Sequence, residues 1–457
     1  MNDSKLQREK WNSKAGFIIA AAGSAIGLGN IWRFPYVTGE NGGAAFVVLY
    51  IVMVLCIGLS VMIAEISIGR NTQKNPIGSF KKLFPNSTWK LVGVLGVVTG
   101  IGILSFYSVI AGYTIGYFVK LLSGQFNSVS GAVESQQIFE SFTANPYASI
   151  GYLLIFMMLT GWIVLGGIAS GIEKWSKILM PMLFILLIIL AIRSMTLDGA
   201  LKGLEFYLKP DFSKIRPSSF AMALGQALFS LSLGMGAMIT YGSYLSRQEN
   251  IISSATMVCF FDTLIAIVAG LVVFPALFAM GMDPASGPGL VFIVLPSIFN
   301  KMPGGMYFGA GLFLLLSLAA LTSTISLLEV AVSYLVDEKQ WSRRKATFLM
   351  AAIAFICGIP SALSLGVSDW CSRLPFFRIS VLDLMNAIFG NYSLAFGSLL
   401  IAIFAGYKWG IDAVKGEIEE SGHRFTLFPI WTFTIRFICP VAISIILIYI
   451  LISGNYF

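Results

Sequence analysis

The chain has 457 residues, 57% apolar and 11% charged, with a formal net charge of +8. A soluble protein this long carries roughly a quarter charged residues, so too few are present to coat a water-facing surface, and a separate soluble domain is excluded. The chain has no Walker loop, which excludes direct drive by ATP, and its single histidine, His423, excludes a His-rich metal site or a His-dependent triad.

The segment 1–15 is polar and basic, and the apolar run after it is too long for a cleaved signal peptide. Eleven apolar runs follow, each long enough to cross about 30 Å of hydrocarbon. They are read at 16–36, 41–69, 91–123, 148–168, 172–193, 218–245, 251–281, 305–336, 345–365, 380–407 and 428–453. The connecting segments alternate in charge: of 30 Lys and Arg, 20 fall on the set that includes the N-terminus, nine on the other, and Arg33 within the first span. Lysine and arginine stay on the cytoplasmic side, which predicts a multi-pass cell-membrane protein with the N-terminus inside and the C-terminus outside. The net charge therefore reports orientation, and nucleic acid is not expected as a partner. Cys56, Cys259, Cys357, Cys371 and Cys439 are scattered without metal or redox spacing and read as apolar filler.

Spans 1 and 6 carry matching interruptions. Gly27-Leu28-Gly29 in the first and Gly234-Met235-Gly236 in the second lie in mid-membrane, flanked by polar residues. Five spans, an odd number, separate the two positions, so the second half enters the membrane from the opposite side, as in an inverted repeat. A glycine pair weakens a helix by roughly 1 kcal/mol per residue. Unwound backbone in a membrane is tolerated only against protein or a water-filled cavity, where its carbonyls can hold a cation and its N–H groups a carboxylate. Paired interrupted helices are a pointer to a transporter binding site.

The stretch Asn30-Ile-Trp-Arg-Phe-Pro35 with Glu40-Asn-Gly-Gly43, and Ser232-Leu-Gly-Met-Gly-Ala237 through Tyr241-Gly-Ser-Tyr244, resemble the span 1–2 and span 6 signatures of the neurotransmitter:sodium symporters. The resemblance runs from Arg8 to about Pro440, and ending after eleven spans resembles the bacterial branch. It implies an all-α polytopic membrane protein of the LeuT type, with a 5+5 inverted repeat and broken spans 1 and 6. Residues 16–457 would form one transmembrane transporter domain, with repeat one at about 16–193, repeat two at about 218–407 and an extra helix at about 428–453. It further implies sodium-coupled symport of an amino acid by alternating access, not an enzyme, with sodium ions, a small-molecule substrate and the lipid bilayer as partners.

By the same resemblance two sodium sites are expected. One takes the Ala25 carbonyl, the Asn30 side chain, the Ser230 carbonyl and hydroxyl, and Asp262. The other takes the Gly23 and Ile26 carbonyls with the Ala319 carbonyl and the Thr322 and Ser323 hydroxyls. The spacing of 319, 322 and 323 puts these three on one helix face. Asp262 replaces the asparagine usual in the family, and Ala266 stands where chloride-dependent members have serine. Asp262 is therefore expected to supply the charge that chloride supplies elsewhere, and to take a proton when sodium leaves, giving chloride-independent uptake with proton counter-transport. Glu65 is read as support behind the span 1 break, and Glu329 as lining the pathway.

Gly27 stands where monoamine transporters carry an aspartate, which favours an amino acid over a lone amine. The resemblance assigns the substrate carboxylate to Tyr107 and the backbone at Leu28 and Gly29, and the ammonium group to carbonyls of Ala25, Phe229 and Ser230 with the Ser232 region. Ile103, Phe229, Met235, Ser323 and Leu327 would line an uncharged side-chain pocket, which predicts hydrophobic substrates, aliphatic and aromatic. Arg33 and Phe229 are expected to gate it from outside, with Asn386 at the position of the family's acid and Asp383 one turn earlier. Arg8, Trp11, Tyr244 and Asp337 would gate it from inside. Gly171 and Pro181 have the spacing that lets span 5 unwind in some bacterial relatives. An amino-acid sensor on the same fold, without net flux, is the alternative.

Overall fold

The computed structural model describes residues 9–126, 129, 131–284, 289–296 and 304–453, with Ala132 described by its backbone alone. Among these residues the chain is helical, with no strand. Nine helices among the described residues are long and apolar enough to cross a membrane, and a tenth crossing is a bent pair, Lys14–Ala25 with Gly29–Glu40, at 49°. Pro217–Ser230 and Ala237–Gly242 are each too short to cross alone; together they make the eleventh. Span 8, Gly305–Lys339, is 89% buried over its most apolar window and packs along span 3, Lys90–Leu122, which is 78% buried. Span 11, Phe428–Ser453, is 28% buried and lies at the rim.

The two interruptions have separate local causes. Ser13 caps the first half of span 1 by accepting from Gly16 N–H at 3.0 Å, satisfying a free helix donor. That half ends at Ile26, whose ψ of 106° is extended. The second half opens in a wide π-helical turn, Gly29–Arg33. Pro35 lies inside the helix that continues from this turn to Glu40, so the span runs four residues beyond its expected end. In span 6, Ser232, Gly234 and Gly236 have φ of 54°, 79° and 76°, a left-handed run that no α-helix contains. Gly234 is confined further, because an added Cβ would stand 2.1 Å from the Leu394 carbonyl oxygen.

One expectation is corrected here. Glu65, on span 2 (Ala44–Thr72), accepts from Gly234 N–H at 2.7 Å. It therefore supports the break in span 6, and not the one in span 1. The span 1 break is held from within, by Asn30 Oδ1 accepting from Gly27 N–H at 3.1 Å.

Candidate functional site

The two breaks meet. Gly23 lies against Thr322, since a Cβ on the glycine would sit 3.3 Å from the threonine Cβ. The Thr322 hydroxyl approaches the Ile26 carbonyl at 3.3 Å and the Ala319 carbonyl at 2.9 Å. The Ser323 hydroxyl approaches the carbonyls of Ser24 at 3.2 Å and of Ile26 and Ala319 at 3.5 Å. A knot of neutral oxygens from spans 1 and 8 results, the donor type that a hard cation takes.

On the other side of span 1, Asp262 of span 7 (Ile251–Ala279) is fully buried. Its Oδ1 accepts from Asn30 Nδ2 at 2.7 Å, and its Oδ2 from Tyr50 at 2.9 Å and Ser230 at 3.1 Å. Asn30 Nδ2 also reaches the Asp262 carbonyl at 3.1 Å. A buried carboxylate survives when such donors surround it.

Between these clusters lies a small, narrow cavity lined among others by Ala25, Gly27, Gly29, Ser232, Met235 and Leu327. Ile103, Tyr107, Phe229, Ser230 and Ser323 complete the wall. No charged side chain lines it. Leu28 N–H donates to the Tyr107 hydroxyl at 2.7 Å, and Gln226 Nε2 to the Gly29 carbonyl at 2.7 Å. The Ser232 hydroxyl donates to the Ser24 carbonyl at 2.8 Å, tying one break to the other. Gly27 is needed for space: a Cβ there would meet Ser323 Oγ at 2.4 Å and Tyr107 Oη at 2.5 Å.

Phe229 and Tyr107 also line a second, larger chamber, together with Arg33, Asp383 and Asn386. Arg33 stands over the Phe229 ring at 4.6 Å and donates to Asn391 Oδ1 at 3.3 Å. Asp383 accepts from the Ser380 hydroxyl at 2.7 Å, within the cap of its own helix, and makes no ion pair with Arg33. This chamber is the vestibule of one face, and the Phe229 ring is part of the partition beneath it.

The face that carries the N-terminus is shut. Trp11 donates from Nε1 to the Tyr241 carbonyl at 3.0 Å and packs edge-on to Tyr241 and Tyr244. The Tyr244 hydroxyl donates to Glu329 Oε1 at 2.7 Å, and Arg343 pairs with the same carboxylate. Arg343 Nε also donates to the Val164 carbonyl at 2.8 Å, and its Nη1 lies 3.8 Å from Glu9. Glu9 in turn accepts from Ile168 N–H. Glu173 accepts from Asn12 N–H at 2.8 Å and pairs with Lys177 at 2.6 Å. Asp337 accepts from Asn75 N–H at 2.8 Å; its expected partner Arg8 lies outside the described residues. Gly171 and Pro181 lie in span 5, which runs on as helix from Ile168 to Met195.

The model of the sodium:neurotransmitter symporter family matches residues 8–148 and 147–456. The chain belongs to that family. An uncharacterized sodium-dependent transporter of Bacillus subtilis is 39% identical to this symporter over 96% of each chain. One of Haemophilus influenzae is 37% identical, over 98% of this chain and 99% of its own. The crystal structure of MhsT in complex with L-phenylalanine superposes with a TM-score of 0.88, at 45% identity over 96% of this chain and 99% of that one. The symporter is thus a multi-pass, sodium-dependent transporter of LeuT-type fold.

Sequence reasoning missed four residues of the symporter's core. Tyr50 and Gln226 had a signal, as polar side chains inside apolar runs that reach the Asp262 cluster and the Gly29 carbonyl. Asn391 lies one helical turn beyond the aligned Asn386. Arg343 stood in an inner loop already explained by orientation, and only its pairing with Glu329 marks it as part of the closed face. Glu329, read as lining the pathway, is fully buried in this closed face and pairs there with Arg343.

Proposed function

We propose that this chain carries hydrophobic L-amino acids, aliphatic and aromatic, into the cell by symport with sodium and alternating access. The observation that carries this is the uncharged cavity between two broken helices, beside the buried Asp262 carboxylate. The substrate carboxylate would be shared by Tyr107 Oη and the backbone N–H groups of Leu28 and Gly29, at the start of the second half of span 1, where the helix dipole favours an anion. Carbonyls of Ala25, Phe229 and Ser230, with the Ser232 region, would take the ammonium group. Ile103, Met235 and Leu327 would face the side chain, and methionine adapts its shape to rings and branched chains alike. That MhsT binds L-phenylalanine supports an aromatic substrate.

Two sodium ions fit the two oxygen clusters, one at Ala25, Asn30, Ser230 and Asp262, the other at Gly23, Ile26, Ala319, Thr322 and Ser323. In the second, each hydroxyl now rests on carbonyls and would turn its lone pairs to an entering ion. Charge placement puts the N-terminal face in the cytoplasm, so the shut face is the inner gate and the vestibule opens outward. Arg33 and Phe229 would close the outer side. Release would need Trp11, Tyr244 and the Glu329 network to part, and span 5 to unwind between Gly171 and Pro181, where proline leaves one carbonyl without its helical donor. An Asp262 without sodium would take a proton and carry it outward on the return, so uptake should not need chloride and should quicken when the inside is acidic.

The test is sodium-dependent binding of the proteinogenic amino acids to purified protein, with chloride and with gluconate. Leucine- and phenylalanine-like substrates should bind equally in both salts, and charged ones not at all. Strict dependence on chloride, or no binding of apolar amino acids, overturns the reading. Counterflow of labelled substrate in proteoliposomes separates a transporter from a sensor. Gly27→Ala should lower substrate affinity about tenfold, because overfilling a packed site costs about 1–3 kcal/mol. Tyr107→Phe removes one hydrogen bond to a charged group, worth about 1.5–3 kcal/mol. It should weaken binding at least tenfold at saturating sodium, with a smaller change in half-saturating sodium.

A further inference from the structure

A groove between span 4 (Pro146–Leu165) and span 9 (Arg343–Ala362) has no part in the path described above. It is open to the outside of the bundle. Small residues keep it open. A Cβ on Gly161 of span 4 would meet nothing nearer than the Ala351 Cβ, at 4.0 Å. Large apolar side chains form its rims, with Trp162 57% and Phe348 79% exposed. At its mouth, on the N-terminal face, stand Arg344 and Lys345, both exposed. Neither meets a carboxylate among the described residues, and Lys345 Nζ instead lies 4.1 Å over the Trp341 ring. No acidic residue lines the groove.

Cations at the mouth and an apolar slot beneath them match, in order, the phosphate and the acyl chain of a phospholipid.

We propose that this groove is a binding site for an anionic diacyl phospholipid. Its phosphate meets Arg344 and Lys345, and one acyl chain lies along Gly161 and Ala352. Basic pockets between membrane helices suit anionic headgroups. A second copy of the chain suits the groove less well, because a two-fold contact would bring the same unpaired cations from both subunits to one interface.

Native mass spectrometry of the full chain in mild detergent tests this, with phosphatidylglycerol or phosphatidylcholine of identical acyl chains as probes. Wild type should retain phosphatidylglycerol at least fivefold over phosphatidylcholine. Arg344→Gln with Lys345→Gln should abolish that preference while leaving the melting temperature unchanged. Ala352→Trp, which fills the slot and leaves the cations in place, should reduce retention of both lipids severalfold. Equal retention of the two lipids by wild type overturns the proposal. So does a preference that survives the double substitution, or a dimer whose formation depends on Arg344 and Lys345.

Discussion

Asp262→Asn should raise the sodium concentration for half-maximal substrate binding roughly a hundredfold. The carboxylate is fully buried and held by Asn30, Tyr50 and Ser230, so its charge faces the expected ion with little solvent between them. Removing one partner of a buried charge pair costs about 3–5 kcal/mol, and the amide oxygen that remains brings the loss to the lower end, about two decades. The shape of the site is kept, because asparagine is isosteric: its oxygen takes the Asn30 donor, and the Tyr50 and Ser230 hydroxyls can turn to accept from its amide. Adding Ala266→Ser should recover sodium affinity in chloride and not in gluconate, if a bound anion restores the missing charge. Sodium titrations of labelled substrate binding check both variants. A half-saturation within threefold of wild type for Asp262→Asn would contradict the charge argument.

Arg343→Ala should open the N-terminal face. Glu329 is fully buried and shares Arg343 with the Val164 carbonyl and Glu9. Deleting the arginine leaves that carboxylate with Tyr244 as its remaining donor, at a cost of about 3–5 kcal/mol charged to the closed arrangement. Backbone amides that report the closure, those of Trp11, Asn12 and Ile168, should exchange hydrogen about a hundredfold faster. Adding Glu329→Gln removes the stranded charge and should restore most of the protection. Unchanged exchange in Arg343→Ala would mean that the aromatic contacts of Trp11 hold the face alone.

The path of the chain was legible because membranes impose it: apolar runs of sufficient length, alternating loop charge, and paired glycines where the helix must open. Partnership was less legible, and Glu65 shows why. Its place on span 2 is clear from the sequence, but the direction it faces is not. A wide turn at Val54–Gly58 shifts the phase of the helix between Tyr50, which meets Asp262, and Glu65, which meets Gly234. Apolar periodicity does not reveal such a turn. The span 8 group Ala319, Thr322 and Ser323 was readable as one face because all three lie on an uninterrupted helix at i, i+3 and i+4. Arg33 and Asn391 meet across a gap, from different spans, and no local rule reaches that far.

The unequal propping of the two breaks has a mechanical consequence. Asn30 braces its own segment and is at the same time bound to Asp262, so a change at that carboxylate reaches the joint through one side chain. The joint at Gly234 leans on a neighbour's carboxylate and yields only when span 2 slides with it. Two halves alike in outline are thus unlike in stiffness, one flexing at a single residue and the other only as part of a larger body.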